Sequence, residues 1–356
     1  MLFHRKKDII GLDIGSNSIK LIQLNEENGG YTLSKFGIAH LSPEIIVEGT
    51  IMDSVQCVEV LQNLLKEQGV STKDSVISLS GHSVIVKKVS LPQMTEEELS
   101  ESIKWEAEQY IPFDINDVNM DFQILNTFVD SDGRQQMNVL LAAVKKDKLA
   151  EYTSLVIEAG LRPVIVDIDA FALENMYGIN YEMKEGETVA LINIGASLTN
   201  INILKDGLFV FTRDVSIGGN KYTEAIQKEL GLSYDEAEKV KKGESVESVE
   251  VGDLSGLESV IENVSTEIAS EITRSFGYFK TASGSEDIDK IILSGGSSKL
   301  KNLDSFLQER LEIPVEIVNP FRKINIPPEF DINYIKDVAP IAAVVVGLGI
   351  RRENDR

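Results

Sequence analysis

The sequence predicts an α/β fold built from two copies of one unit facing each other across a cleft, and three observations lead there. A strand running into a glycine turn, Leu12-Asp13-Ile14-Gly15-Ser16-Asn17-Ser18-Ile19-Lys20, returns 180 positions later as Ile192-Asn193-Ile194-Gly195-Ala196-Ser197-Leu198-Thr199. A second echo pairs Ile77-Ser78-Leu79-Ser80-Gly81 with Ile291-Ile292-Leu293-Ser294-Gly295, 214 positions later. The difference in offset means that the second half has gained about 34 residues between matching strands. Third, each echo ends in a glycine turn after a strand, the arrangement in which backbone N–H groups can hold a polyphosphate from both sides.

The elements follow in order. Residues 8–42 read as a three-stranded meander with a turn at Glu26-Glu27-Asn28-Gly29-Gly30, and Val55 to Gln68 as an amphipathic helix. Thr95 and Glu98 form a capping box for a helix whose Leu99, Ile103, Ala107, Tyr110 and Ile111 share one face until Pro112 stops it. Strands Val118 to Thr127 and Met137 to Val144, joined by Asp130-Ser131-Asp132-Gly133, and a helix from Lys148 to Ala159 complete a small inserted module. The second copy repeats the meander through Lys205-Asp206-Gly207 and Leu208 to Arg213, then a helix from Lys221 to Leu230 ended by Gly231. Leu257, Ile261, Val264, Ile268, Ile272, Phe276 and Phe279 step by three or four, the stripe of one long packed helix. Strand Lys290 to Leu293, a Gly295-Gly296 turn, a helix from Leu300 to Leu311 and strand Pro314 to Val318 return to the core, and Val338 to Ile350 reads as a buried closing helix.

The chain thus divides into a first-lobe core (1–91), the inserted module (92–163) and a return to the first lobe (164–187). A second-lobe core (188–219), its helical insertion (220–286), further second-lobe core (287–330) and a C-terminal helix returning to the first lobe (331–356) follow.

Composition narrows the function. The 356 residues suffice for two cores, and 42% hydrophobic with 26% charged residues is ordinary for a globular protein. With 35 basic against 57 acidic residues the net charge is −22, which repels nucleic acid and anionic bilayers. Cys57 is the sole cysteine, and His4, His40 and His82 are isolated, so neither a disulfide nor a zinc site is expected. His4-Arg5-Lys6-Lys7 precedes a strand broken by Asp13, so the apolar core of a signal peptide is missing, and the cluster reads as a solvated tail, with contact to a membrane surface as the alternative. The apolar run Val338 to Ile350 is shorter than the ~20 residues of a membrane span. The expectation is a cytoplasmic protein.

Taken together, the loops at Asp13-Ile14-Gly15-Ser16, Asn193-Ile194-Gly195-Ala196 and Leu293-Ser294-Gly295-Gly296-Ser297 resemble the two phosphate motifs and the adenosine motif of the actin-like ATPase superfamily. The resemblance implies a duplicated actin-like (ribonuclease H-like) fold, with ATP and Mg²⁺ in the cleft between two lobes. It assigns the amides around Gly15, Ser16, Asn17 and Ser18 to the β-phosphate, a supporting charge to Lys20, and water-mediated contact with Mg²⁺ to Asp13. Asn193, Gly195, Ala196, Ser197 and Thr199 would face the γ-phosphate, with Gly218 and Gly219 beside them, while Gly295, Gly296 and Ser297 would lie against the nucleoside. In Ala237-Glu238-Lys239-Val240-Lys241, Glu238 and Lys241 match an acid and a lysine that contact ribose and adenine; a solvated charged helix is the alternative.

A narrower resemblance lies in Leu91-Pro92-Gln93-Met94, in Glu106-Ala107-Glu108-Gln109-Tyr110-Ile111-Pro112-Phe113 and in Val166-Asp167-Ile168-Asp169-Ala170-Phe171-Ala172-Leu173. These look like the PilM family of type IV pilus assembly and cover nearly the whole chain. The resemblance implies a module of the kind found in the cell-division protein FtsA. It also implies docking of the cytoplasmic N-terminal tail of the inner-membrane protein PilN beside that module. Other platform and motor proteins would be further partners, membrane attachment would run through partners, and self-association is a further option. Tyr110, Ile111, Pro112 and Phe113 suit an apolar peptide anchor, and equally a plug for the module's own core.

One departure bears on chemistry. Actins carry Asp where this chain has Asn193, and an amide cannot act as a base, so slow turnover or none is expected. Asp167 and Asp169 are the candidate water-positioning groups, with a helix N-cap as the plainer role. Two other functions share the superfold: a small-molecule kinase, for which no sugar-binding motif is present, and an FtsA-like filament former. The ending Arg351-Arg352-Glu353-Asn354-Asp355-Arg356 is too short and polar for the membrane helix of the latter.

Overall fold

The computed structural model describes residues 8–27, 29–246, 256–284 and 286–352; the basic residues 4–7, Asn28 of the expected turn and residues 353–356 lie outside the described residues. The first half opens with β1 (Ile10–Ile14), β2 (Ser18–Glu27) and β3 (Gly30–His40), a small hairpin of β4 (Ile46–Val47) and β5 (Thr50–Ile51), α1 (Ser54–Glu67) and β6 (Asp74–Leu79). Then come β7 (Val84–Pro92), α2 (Glu96–Glu108), β8 (Val118–Val129), β9 (Gln135–Lys145), α3 (Lys146–Glu158), β10 (Arg162–Ile168) and α4 (Asp169–Asn180). The second half holds β11 (Thr188–Ile194), β12 (Thr199–Lys205), β13 (Leu208–Val215), α5 (Gly219–Leu230), α6 (Tyr234–Lys241), α7 (Leu257–Ser283), β14 (Lys290–Ser294), α8 (Leu303–Leu311) and β15 (Val315–Ile317). The chain closes with β16 (Ile324–Asn325), α9 (Ile332–Val338) and α10 (Ala343–Ile350).

The duplication is strand for strand. One sheet runs β3-β2-β1-β6-β10 and the other β13-β12-β11-β14-β15, with β16 added beside β3. In both, an antiparallel meander is followed by two parallel strands. The central strands are buried on both faces, which is why β6 and β11 read as nearly continuous apolar or small residues.

Between the halves lies a shared core formed around α4 and α10, with Val76 and Ile22 from the first sheet and Leu191 and Ile292 from the second. Glycines let α10 sit there. A Cβ on Gly347 would come within 1.8 Å of Ala172 O, and one on Gly11 within 2.7 Å of Gly349 N. The helical run Ile332–Ile350 has 19 residues and is apolar enough to cross a bilayer by length and composition, longer than the apolar stretch visible in sequence. Every residue of α10 is nonetheless buried in this seam, as expected of a core helix.

The inserted module differs from its expected bounds. Its sheet, ordered β7-β9-β8, begins at Val84 rather than after Pro92, and α2 packs on it through Leu99, Ile103 and Ala107. Helix α3, expected to complete the module, instead buries Tyr152, Leu155 and Val156 against Leu12, Leu61 and Leu64 of the first lobe. Its apolar spacing reported a buried face but not which core receives it. Packing therefore separates the module at 84 and 145, not at 92 and 163. In the second half, α8 starts at Leu303 and not at Leu300, because Gly296–Lys299 form a 3-10 turn and Asn302 takes a left-handed conformation (φ 64°).

Candidate functional site

Two hairpins of the same geometry face the cleft. In the first, Gly15 N closes the β1–β2 turn on Ser18 O at 3.1 Å; in the second, Gly195 N closes the β11–β12 turn on Leu198 O at 2.8 Å. The turns use these two glycine amides, so the expected contact of the Gly15 amide with phosphate does not fit, and the amides left in the turns belong to the residues between, Ser16 and Asn17, and Ala196 and Ser197. Register places Asp13 opposite Lys20 and Asn193 opposite Asn200. Lys20 Nζ donates to Asp13 Oδ2 at 2.9 Å, and Asn193 Nδ2 donates to Asn200 Oδ1 at the same distance. Asn193 Oδ1 in turn accepts from Ser294 Oγ at 3.2 Å, and Asn200 Nδ2 donates to Asp214 Oδ1 at 2.8 Å.

The third loop braces the second hairpin. Gly295 has φ 90°, and a Cβ there would lie 2.3 Å from Ile194 O, so this glycine is required by its own backbone crossing rather than by approach of a nucleoside. Gly296 has open space around its Cβ position. The N-terminus of α5 also holds the turn: Gly219 N and Asn220 N donate to Gly195 O and Ala196 O, each at 2.8 Å. On α6, started by a Ser233–Glu236 capping box, Glu238 and Lys241 bond each other and Thr223 of α5, and Lys241 Nζ reaches Gly219 O at 3.2 Å. Burial lowers the Lys241 pKa against the pull of Glu238.

These pieces line one cavity of about 710 Å³. It gathers Asp13, Gly15, Ser16, Asn17, Ser18 and Lys20 from the first half and Asn193, Gly195, Ala196, Ser197, Gly219, Glu238, Lys241, Gly295, Gly296 and Ser297 from the second. Three expected residues are not brought to it. Thr199 is buried and donates to Ile217 O (2.7 Å); Gly218 is packed against the backbone of Gly195 and Ala196. Asp167 points to the seam, where its Oδ2 pairs with Arg351 Nε at 2.8 Å; burial raises its pKa and Arg351 opposes the shift.

Asp169 does line the cavity, and it is not an N-cap: it occupies the first turn of α4 and accepts from Ser78 Oγ at 2.5 Å. Burial and then the charge of Asp13 push its pKa up to about 7, against the hydroxyls of Ser78 and Ser80. Sequence reasoning missed His40, Lys148, Tyr152 and Lys242, which also line the cavity. Only tertiary packing brings them in, although the i,i+4 spacing of Lys148 and Tyr152 marks one face of α3. Burial, then the nearby charges of Lys242 and Lys20, lower the pKa of His40, so groups from both halves sense each other across the space.

No group of three or more His, Cys, Asp or Glu that could hold a metal occurs among the described residues. Two carboxylates of the cavity wall, Asp13 and Asp169, could face a divalent ion such as Mg²⁺ that keeps much of its water.

In the module, Ile111 is buried, and Tyr110 and Phe113 pack against the module core, with the Lys145 ammonium 4.6 Å from the Phe113 ring centre; Pro112 is exposed. Among the described residues the most exposed large apolar side chain is Trp105 on α2, at 79%, which the sequence reading passed over.

A family profile for the type IV pilus assembly protein PilM matches residues 11–353. The chain belongs to the PilM family. A solved structure described as a PilM-PilN type IV pilus biogenesis complex superposes with a TM-score of 0.86 at 27% identity, covering 99% of this chain and 100% of that one. The cell-division protein FtsA of Pseudomonas aeruginosa is 23% identical over 98% of this chain and 91% of its own length, and that of Bacillus subtilis 22% over 87% and 78%. MreB5 of Spiroplasma citri bound to ADP has the same fold, with a TM-score of 0.50 at 14% identity over 96% of this chain and 94% of that one. The architecture is α/β and actin-like, and the chain is a PilM-type protein of type IV pilus assembly.

Proposed function

We propose that this PilM-family protein binds ATP·Mg²⁺ between its two lobes and acts as a scaffold on the cytoplasmic face of the inner membrane by docking the N-terminal tail of PilN. The observation that carries the nucleotide reading is the convergence of two matched hairpins and the Gly295–Ser297 turn on a single cavity. Ser16, Asn17, Ala196 and Ser197 would present amides to the phosphates, Asp13 would orient the hydrated ion, and Glu238 with Lys241 would meet the nucleoside. When bound, Mg²⁺ would neutralise phosphate charge. Asp169 sits where it can hold a water by its carboxylate, while Asn193, committed to Asn200 and Ser294, has no free base to offer.

The PilN reading is supported by the 27% identical PilM-PilN structure and by a module with its own core, of the kind expected for FtsA-like proteins. Tyr110 and Phe113 belong partly to that core, so their replacement would disturb folding as well as docking. A cleaner test removes residues 84–144 and joins Ser83 to Lys145, whose backbones already meet through Lys145 N to Ser83 O at 3.0 Å. The excised protein should bind ATP and lose the PilN tail peptide. Tail binding at full strength by this folded variant would contradict the assignment.

A further inference from the structure

The module hangs from the first half by β7 and β9, and the root of β7 is bonded to the second half. Val84 N donates to Gly81 O, and Lys145 N to Ser83 O, each at 3.0 Å, so the two strands leave from one point. Directly before them, Gly81 N donates to Asp214 Oδ2 at 2.6 Å, and His82 Nε2 lies 2.7 Å from Ser216 Oγ. Leu198 of the second hairpin closes the contact, 3.3 Å from where a Cβ on Gly81 would be. Gly81 itself has φ 86°, which a side chain would strain.

The other oxygen of Asp214 accepts from Asn200, whose carbonyl accepts from Asn193, whose carbonyl accepts from Ser294. With Asp214 ionised, which the bonds from Asn200 and Gly81 favour against its burial, the direction of every bond is fixed. An ionised Asp214 only accepts, so Asn200 turns its amide nitrogen to it and its oxygen to Asn193, and Asn193 does the same toward Ser294. Moving either half alone would leave a buried carboxylate short of a partner, which costs free energy.

We propose that this chain of bonds transmits occupancy of the second hairpin to the root of the inserted module, with Asp214 as the coupling residue. The inference rests on the nucleotide and tail-docking reading above and names the regulation of those same two sites. A ligand drawing Ala196 and Ser197 toward the first lobe shifts the β12 strand that carries Asn200; Asp214 passes the shift to Gly81, where β7 begins. Coupling of this kind is reciprocal, so the tail must change ATP affinity by the factor with which ATP changes tail affinity.

The test is a calorimetric cycle on the full chain with ATP·Mg²⁺ and a synthetic peptide of the cognate PilN tail. The unmodified protein should show a coupling factor of about 5 or more. Asp214→Ala should bring it close to one while leaving each ligand's affinity alone within about threefold. Asp214→Asn, which keeps the volume and one acceptor, serves if the alanine variant fails to fold. Amide exchange at Gly81 adds a readout that a merely structural role would not move: nucleotide should slow it in the unmodified protein and not in the Asn variant. Retention of the full factor by a folded Asp214 variant overturns the inference. Tight binding of both ligands with a factor of one overturns it alone, whereas absence of any ATP binding overturns the underlying reading with it.

Discussion

The two hairpins share a turn, a register and a cross-strand bond of 2.9 Å, yet one carries the ion pair Asp13–Lys20 and the other the amide pair Asn193–Asn200. The backbone similarity shows what duplication preserves, and the side chains show how the copies have parted. An ion pair only partly shielded from solvent keeps a carboxylate available to a hydrated cation. An amide pair carries no charge but has fixed direction, and it connects outward to Ser294 and Asp214. The first copy therefore suits charge chemistry and the second suits transmission.

The largest effect should come from breaking the charged copy. Asp13→Ala strands Lys20 and removes the carboxylate proposed to orient the hydrated ion, so ATP·Mg²⁺ binding should weaken about 10–100-fold, about 1.4–2.8 kcal/mol, with the Mg²⁺-dependent part lost, as read by calorimetry with and without the metal. The double change Asp13→Asn with Lys20→Asn copies the second hairpin into the first. It should fold and still lose Mg²⁺ dependence, and retention of that dependence would erase the distinction between the copies.

The reverse change probes the amide copy. Asn193→Asp sets a carboxylate against the oxygen of Asn200, which cannot turn without abandoning Asp214, so stability should fall by about 1–3 kcal/mol in denaturant titrations at neutral pH. An unchanged midpoint would mean that the bond directions are not fixed as described.

A smaller effect concerns Asp169, which faces both copies. Its pKa rises from 3.8 to about 7 on folding, so its contribution is favourable at low pH and is lost as pH climbs through that window. Asp169→Asn should raise the melting temperature of the nucleotide-free protein by about 2 °C or more above neutrality and have little effect at about pH 4. An equal gain at both pH values would show that the carboxyl is not buried in this way. Turnover should be the least visible property of all, below the ~1 s⁻¹ low end of typical enzymes; tens per second from pure protein would mean that Asn193 does not limit hydrolysis.

The comparison also shows what the sequence could disclose. Meanders, capping boxes and glycine turns are local, so β1 to β3, α2 and both hairpins were legible, and the resemblance of those turns to actin-like motifs pointed to Asp13, Asn193 and Gly296, which line the cavity. Partners decided by packing were not. Helix α3 carries the same periodicity whether it covers the module or the first lobe, and Lys148 and Tyr152 reach the cavity only because it covers the first lobe. Asp167 belongs to β10 and Asp169 opens α4; two residues apart in one strand they would share a face, but the switch from strand to helix sends one to Arg351 and the other to the cleft. Gly295 was read as a contact of the nucleoside, whereas the atom that forbids a side chain there is Ile194 O of the neighbouring strand.

The central claim is that both copies grip one nucleotide, and thermal unfolding of the unmodified protein with ATP·Mg²⁺ tests it most directly. Ligand at 100 times its dissociation constant should stabilise the folded state by about 2.7 kcal/mol, with a smaller gain when Mg²⁺ is chelated. No shift with ATP up to millimolar concentration, together with no heat of binding, would contradict the claim and leave the cleft as an inherited shape without a ligand.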